Sequence, residues 1–345
     1  MQKNQSNIIL RITALWAFSE AFLGGILHGF KMPFAGLFLA FFASLCITLI
    51  AVGNKKRGLI INATLAVIAV KFILSPQTPP MAYFAVLVQG VAGELFFIRR
   101  KNYRLAAFGA TLFSLVYSAL QQLITLTLIF GKQFWGAMDT FLNGITKNFV
   151  SGHTPYTMLI VSFYLSSYLI VGIVGGIMNS RIVSSIETGE WYNNLLVDMS
   201  SNILKSDKSQ AVIPQKKSKP NLLFFISALL FLVLILSYLP FFQQLFIHNK
   251  VAPIALRGLC IMLTWNFFVA PLLIKLVGNW VEKYQAKNSG KIQQIILLIP
   301  EMRNIIQLSW QLAKSSSKIS RLKTFIVNTV ILTFYYNDQR NYSNG

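Results

Sequence analysis

The sequence predicts an all-α fold, a polytopic membrane helical bundle of about eight or nine transmembrane helices, with amphipathic cytoplasmic helices near the C-terminus. Three observations predict it. Hydrophobic residues make up 54% of the chain and charged residues 12%, against about 25% charged in a soluble domain. Apolar stretches recur at or near the ~20 residues that cross a bilayer core as helix. The basic residues gather in alternate loops, as expected where cytoplasmic loops of a membrane protein carry the positive charge.

In chain order, apolar spans run near 8–29, 33–52, 58–74, 79–98, 105–130 and 155–178. Lys3 and Arg11 lie at the start of the first. Lys55, Lys56 and Arg57 separate the second and third, and Arg99, Arg100, Lys101 and Arg104 the fourth and fifth. Beyond the sixth come Arg181, Lys205, Lys208, Lys216, Lys217 and Lys219, whereas the other loops hold only Lys31, Lys132 and Lys147. This asymmetry puts the N-terminus and residues 179–221 in the cytoplasm. Residues 1–200 are then a six-span unit that starts and ends on the inner side of a cell membrane. The same distribution accounts for the net charge of +21 without nucleic acid as a partner.

After the sixth span, SRIVSSIETGEWYNNLLVDMSSNILK reads as a surface helix, and residues 201–221 as a polar cytoplasmic linker. Residues 222–345 follow as a hairpin of spans near 222–247 and 252–277, then a basic amphipathic segment over 279–323. There Ile295, Leu298, Ile299 and Met302 recur at helical spacing. Pro300 is expected to break or restart that helix. The segment is too polar to cross and too apolar to float free, so it is expected along the inner surface or against a partner. The last apolar segment, 324–336, is short for a span.

Several chemistries are not expected. Cys46 and Cys260 both fall inside apolar runs, which implies neither a disulfide framework nor a Cys-based metal site. His28, His153 and His248 have no ligand-like spacing. No Gly-x-x-x-x-Gly-Lys-Ser/Thr occurs, so no P-loop is expected. The first apolar stretch carries Glu20, runs on to His28 and offers no clear cleavage site, so a cleaved signal peptide is not expected.

Rise per residue sets the depth of the polar groups within the spans. Glu20 lies roughly 18 Å up an outward-running helix and Lys71 roughly 20 Å up another. A carboxylate and an ammonium at matched depth are candidates for an ion pair, since either alone costs several kcal/mol in lipid. The alternative is that Lys71 snorkels to the outer interface while Glu20 faces a helix neighbour. Gln77 and Thr78 in the outer loop, Tyr83 and Gln89 descending the fourth span, and His28 beyond Glu20 share the outer half. Convergent polar groups in an apolar wall are what an outward-opening small-molecule pocket needs. Each alone is more often a helix-packing hydrogen bond. Glu94, roughly 22 Å down its span, reads instead as an interfacial carboxylate balanced by Arg99 and Arg100. Ala17-x-x-x-Ala21 in the first span and Gly172-x-x-x-Gly176 in the sixth let helices approach closely.

ALWAFSEAFLGG, with Ala17 and Ala21, resembles the first helix of the substrate-binding S component of energy-coupling factor transporters, a six-span unit with both ends inside. The stretch from 222 onward, with IPEMRNIIQLSWQLAKSSSKISRLKTF, resembles part of a T component and its coupling helices. Ala313-Lys314-Ser315 and Ser320-Arg321-Leu322 depart from that family's small-Arg-small signatures, and the C-terminal part has fewer spans than a full T component. The resemblance implies uptake of a small micronutrient driven by separate ATP-binding cassette ATPase subunits, with no cofactor in this chain. It implies a pocket of Glu20, His28, Lys71, Gln77, Tyr83 and Gln89. It implies a partner-coupling surface of Ala17, Ala21, Arg303, Lys314, Lys318 and Arg321. Two other readings stay open. An intramembrane enzyme acting on lipid would need several acidic groups or a His pair facing one cavity, and only Glu20 and Glu94 lie within spans. A non-catalytic assembly protein would use the basic tail to hold anionic lipid or a cytoplasmic partner.

Overall fold

In hydrocarbon every backbone N–H and C=O must be satisfied within the chain, and an isolated segment can do that only as helix. The computed structural model describes residues 2–29, 34–54, 56–76, 78–98, 102–131, 133–146, 155–188, 261, 263–314 and 320–335. Among these residues every regular element is helical. Helix α1 (Gln2–Phe18) passes through a π-helical turn (Ser19–Leu23) into α2 (Gly24–Gly29). Then come α3 (Ala35–Gly53), α4 (Leu59–Leu74), α5 (Pro80–Phe97), α6 (Tyr103–Phe130), α7 (Gln133–Thr146) and α8 (Tyr156–Thr188). A second π-helical turn (Trp265–Val269) leads into α9 (Ala270–Ala313), and α10 (Arg321–Tyr335) follows.

Five stretches among the described residues are long and apolar enough to cross a membrane: Asn7–Leu27, Ala35–Gly53, Pro80–Phe97, Tyr103–Leu128 and Tyr156–Ser184. The third expected span, α4, is apolar but shorter. The expected span 222–247 and the linker 201–221 lie outside the described residues, as do residues 252–260 and 262 of the expected span 252–277.

Three local expectations change. Residues 133–146, read as loop, form α7. Its apolar Phe134, Trp135, Met138, Phe141, Leu142 and Ile145 follow helical spacing, interrupted to the eye by Gly136 and Gly144. Helix α8 continues to Thr188, past the expected end at 178. Helix α9 runs through Pro300 and is broken instead at Asn288, whose backbone is non-helical (φ −126°, ψ 27°). The segment KNSG around Asn288 concentrates weak helix formers, and the Asn288 side-chain amide donates to the Tyr284 carbonyl at 3.1 Å, substituting for lost backbone bonding. Pro300 is exposed, so its ring meets solvent rather than a packed neighbour.

The chain divides into two compact units. The first combines Met1–Val116, Leu169–Ser209 and Val281–Gly345. At its centre is α1, buried on every side from Ile12 to Glu20 and packed against α3, α4 and α10. Helices α4 and α5 form a hairpin pressed together at Gly90, where a Cβ would fall 2.0 Å from Thr64 Oγ1. A Cβ on Gly93 would meet Ile47 of α3 at 2.4 Å. Helices α6 and α8 also approach closely, Gly176 against Phe108 and Gly172 against Leu112. Beside them buried Asn179 donates to Thr111 Oγ1 at 2.9 Å and to Ser44 Oγ at 3.4 Å, tying α8 to α6 and α3. Large apolar side chains such as Phe84, Leu95, Ile173 and Val174 stay exposed, the outward face a helix presents to lipid.

One end of this unit is fixed by Glu94. Its carboxylate accepts the N–H of Gly58 at 2.7 Å and of Ile60 at 3.2 Å, capping the N-terminus of α4 from the end of α5. Gly58, with φ of 78°, takes the left-handed turn that presents its N–H. Across the same end lies α9. Glu301 pairs with Arg11 of α1, and the Tyr284 hydroxyl stands 3.5 Å from the Asn62 carbonyl of α4. Arg321 Nη2 reaches the Lys314 carbonyl at 3.5 Å, joining the start of α10 to the end of α9.

The second unit combines Tyr117–Tyr168 and Gln210–Trp280. In it Gly131 (φ 76°) ends α6 in the left-handed conformation and turns the chain into α7. Trp135 Nε1 donates to Thr127 Oγ1 at 3.1 Å. Asp139 of α7 accepts the Thr157 N–H at 2.7 Å, capping the start of α8.

Candidate functional site

Two buried charges of the first unit, Glu20 and Lys71, come together in one place. Lys71 Nζ donates to Glu20 Oε2 at 2.7 Å, with side-chain exposures of 1% and 4%. Lys71 stands in the last turn of α4, where unsatisfied carbonyls favour a cation. Glu20 stands in the π-helical turn that follows α1. There the Gly24 N–H reaches the Ser19 carbonyl, a step longer than the α-helical bond, while Ser19 Oγ donates to the Trp16 carbonyl at 2.8 Å. Such a turn inserts an extra residue into the helix and recurs at functional sites. The depth match expected from sequence is therefore realised as a direct contact, and Lys71 does not snorkel away.

Around the pair the α4–α5 connection supplies aromatic and hydroxyl groups. Lys71 Nζ lies 5.8 Å from the centre of the Tyr83 ring, within cation–π range. The Tyr83 hydroxyl donates to the Ser75 carbonyl at 3.1 Å, and Thr78 Oγ1 donates to Ser75 Oγ at 3.0 Å. Pro79 and Pro80 open α5 and hold this turn in shape. Cys46 of α3 is fully buried.

The other expected site residues fall elsewhere. Gln89 is buried, but it lies six residues beyond Tyr83 on α5, roughly 9 Å further along the axis, next to the tight crossing at Gly90. His28 belongs to α2, and Gln77 lies outside the described residues. Of the expected coupling residues, Ala17 is fully buried and Ala21 half-buried within the chain's own packing. Arg303 and Lys314 are exposed on or just beyond α9, Arg321 is half-buried at the start of α10, and Lys318 lies outside the described residues. Glu94, read from sequence as balanced by Arg99 and Arg100, is a helix cap; those two arginines lie outside the described residues. Ser75 was absent from the expected set, although its place before Gln77 and Thr78 in a polar turn marked it.

Chemically, the centre is a charge pair sealed from solvent, flanked by one aromatic face and two hydroxyls. Among the described residues no three His, Cys, Asp or Glu side chains group as a metal site. Comparison of the chain with protein-family models, with curated proteins and with solved structures finds no match.

Proposed function

We propose that this chain is the membrane part of an uptake system for a small, charged micronutrient, of the energy-coupling factor type, with ATP hydrolysed by separate subunits. The observation that carries the reading is the sealed Glu20–Lys71 pair. Burying two ions costs several kcal/mol each, and a buried pair rarely returns more stability than an apolar pair of similar volume. An ionisable residue inside a membrane bundle is by default functional. A solute bearing a carboxylate or an ammonium would compete for one member of the pair, and the π-helical turn gives Glu20 a place to move. On the coupling side, α9 is braced to α1 through Arg11 and Glu301, and α10 packs on the same helix. A pull on exposed Arg303 or Lys314 would thus reach the helix that carries Glu20.

The test is to purify the full chain and identify co-purifying small molecules by mass spectrometry. Glu20→Gln and Lys71→Met are each expected to lower retention of the bound solute by about tenfold or more. Unchanged retention in both well-folded variants removes the pocket. Separately, ATP-binding cassette ATPases are expected to co-purify with the chain and to be lost with Arg303→Glu and Arg321→Glu. Co-purification that survives both substitutions removes the coupling surface.

A second reading, a membrane assembly scaffold, is favoured by the closure of the pair and by the burial of α1 from Ile12 to its end. The double variant E20L/K71L separates the two. A scaffold keeps its membrane abundance and its partners. A transporter keeps its abundance and loses its solute.

A further inference from the structure

At the end of the first unit that carries the Glu94 cap, α6 begins and α8 leaves its apolar stretch. Between them is a cavity of about 430 Å³ lined by Arg104, Leu105, Phe108, Ile177, Ser180 and Arg181. Its floor is rigid. Gly176 presses on Phe108 so closely that a Cβ there would stand 2.7 Å from the ring. Its walls are apolar and open, Leu105 being 69% and Ile177 43% exposed. Its rim carries two guanidinium groups, one from each helix, and among the described lining residues no carboxylate. Ser184 accepts from Arg104 Nη2 and so steadies that side chain, while a guanidinium has five N–H donors to offer.

We infer that this groove binds an anionic glycerophospholipid from the leaflet at the basic end of the bundle. The headgroup phosphate sits between Arg104 and Arg181, and an acyl chain lies along Leu105, Phe108 and Ile177. Two like charges held over one cleft repel each other until an anion is placed between them, and planar guanidinium groups match phosphate oxygens in pairs. Leu105 follows Arg104 into the apolar stretch of α6, and Ile177 precedes Arg181 in that of α8, so the apolar walls lie on the span side of the arginine pair. A soluble phosphate would satisfy the arginines and leave Leu105 and Ile177 uncovered. A lipid covers both. The occupied groove would clamp the start of α6 to the end of α8, beside the Asn179 contact that ties both to α3.

The experiment uses the full chain, delipidated in neutral detergent. It is titrated with equimolar phosphatidylglycerol and phosphatidylcholine of matched acyl chains and read by native mass spectrometry. Phosphatidylglycerol is expected to be retained roughly ten- to thirtyfold better, as two arginines near a lipid surface imply. R104Q/R181Q is expected to bring the two lipids to parity, and R104K/R181K to keep part of the preference. K283Q/K287Q, which removes the same charge from exposed positions on α9, is expected to keep all of it. Inorganic phosphate and glycerol phosphate are expected not to displace the lipid. Equal retention of both lipids by the unaltered chain overturns the inference. So does an equal loss in K283Q/K287Q, which would mean diffuse charge. Displacement by glycerol phosphate would overturn it too, since the ligand would then be a soluble phosphate. Melting curves of each variant, matched to the parent, ensure that lost lipid reads as lost binding.

Discussion

Single carboxylates in this chain have separate physical tasks, and neighbouring residues decide which. Glu94 is a cap: it satisfies two backbone donors that a helix start leaves orphaned. Glu94→Gln keeps one acceptor and loses the charge, so a loss of about 1–2 kcal/mol is expected in detergent unfolding. Glu20 is half of a sealed pair. Glu20→Ala strands the Lys71 ammonium and is expected to cost about 3–5 kcal/mol, most of it recovered in E20L/K71L. A double-mutant cycle over the four proteins measures that coupling. Lys291 differs again: half-buried on α9, its ammonium is held below the ordinary lysine range by burial. The folded chain therefore binds fewer protons than the unfolded one just under pH ~10.4, and stability rises with pH through that interval. Lys291→Met is expected to stabilise the chain at neutral pH and to flatten that rise, read from melting temperatures across the alkaline range. The ion pair was legible from sequence because depth follows from counting residues along two helices. The cap was not, because nothing local to Glu94 points to donors more than thirty residues earlier.

Among the elements, the spans were legible and the joints were not. Long apolar runs in α3, α5, α6 and α8 allow only helix in lipid, so their existence follows from composition. Helix α7 was hidden by its glycines, and the break in α9 was assigned to Pro300 when Asn288 makes it. Proline removes one bond, whereas Lys-Asn-Ser-Gly weakens a whole turn and supplies its own side-chain substitute. Helix contacts set two opposite expectations for glycine. Gly90→Ala drives a methyl into Thr64 and is expected to cost about 1–3 kcal/mol, with part of it returned by Thr64→Ala. Gly136→Ala meets open space and is expected to gain up to about 1 kcal/mol from helix propensity. Thermal unfolding of the two variants side by side checks both signs.

For the molecule as a whole, linear reading put a boundary near residue 200, yet the first compact unit recruits Val281–Gly345 to the N-terminal helices. No composition shift announces this, because the recruiting contacts join residues distant in sequence: Arg11 with Glu301, Tyr284 with Asn62, and α10 with α1. The Arg11–Glu301 pair is partly exposed, so Arg11→Ala is expected to change global stability by no more than about 1 kcal/mol. It is expected to raise hydrogen exchange of α9 around Glu301 while leaving α4 and α5 unchanged. Unaltered exchange in α9 would show that the helix is held by its apolar face alone, through Ile292, Ile295, Met302 and Ile305.

The reach of Glu94 across the hairpin also bears on biogenesis. Gly58 and Ile60 leave the ribosome well ahead of the acid that will hold them. Their N–H groups must stay in contact with water until α5 has been threaded. Helix α4, short and unfinished by itself, receives its cap only once its successor has been made, so the two are expected to become ordered as a single package.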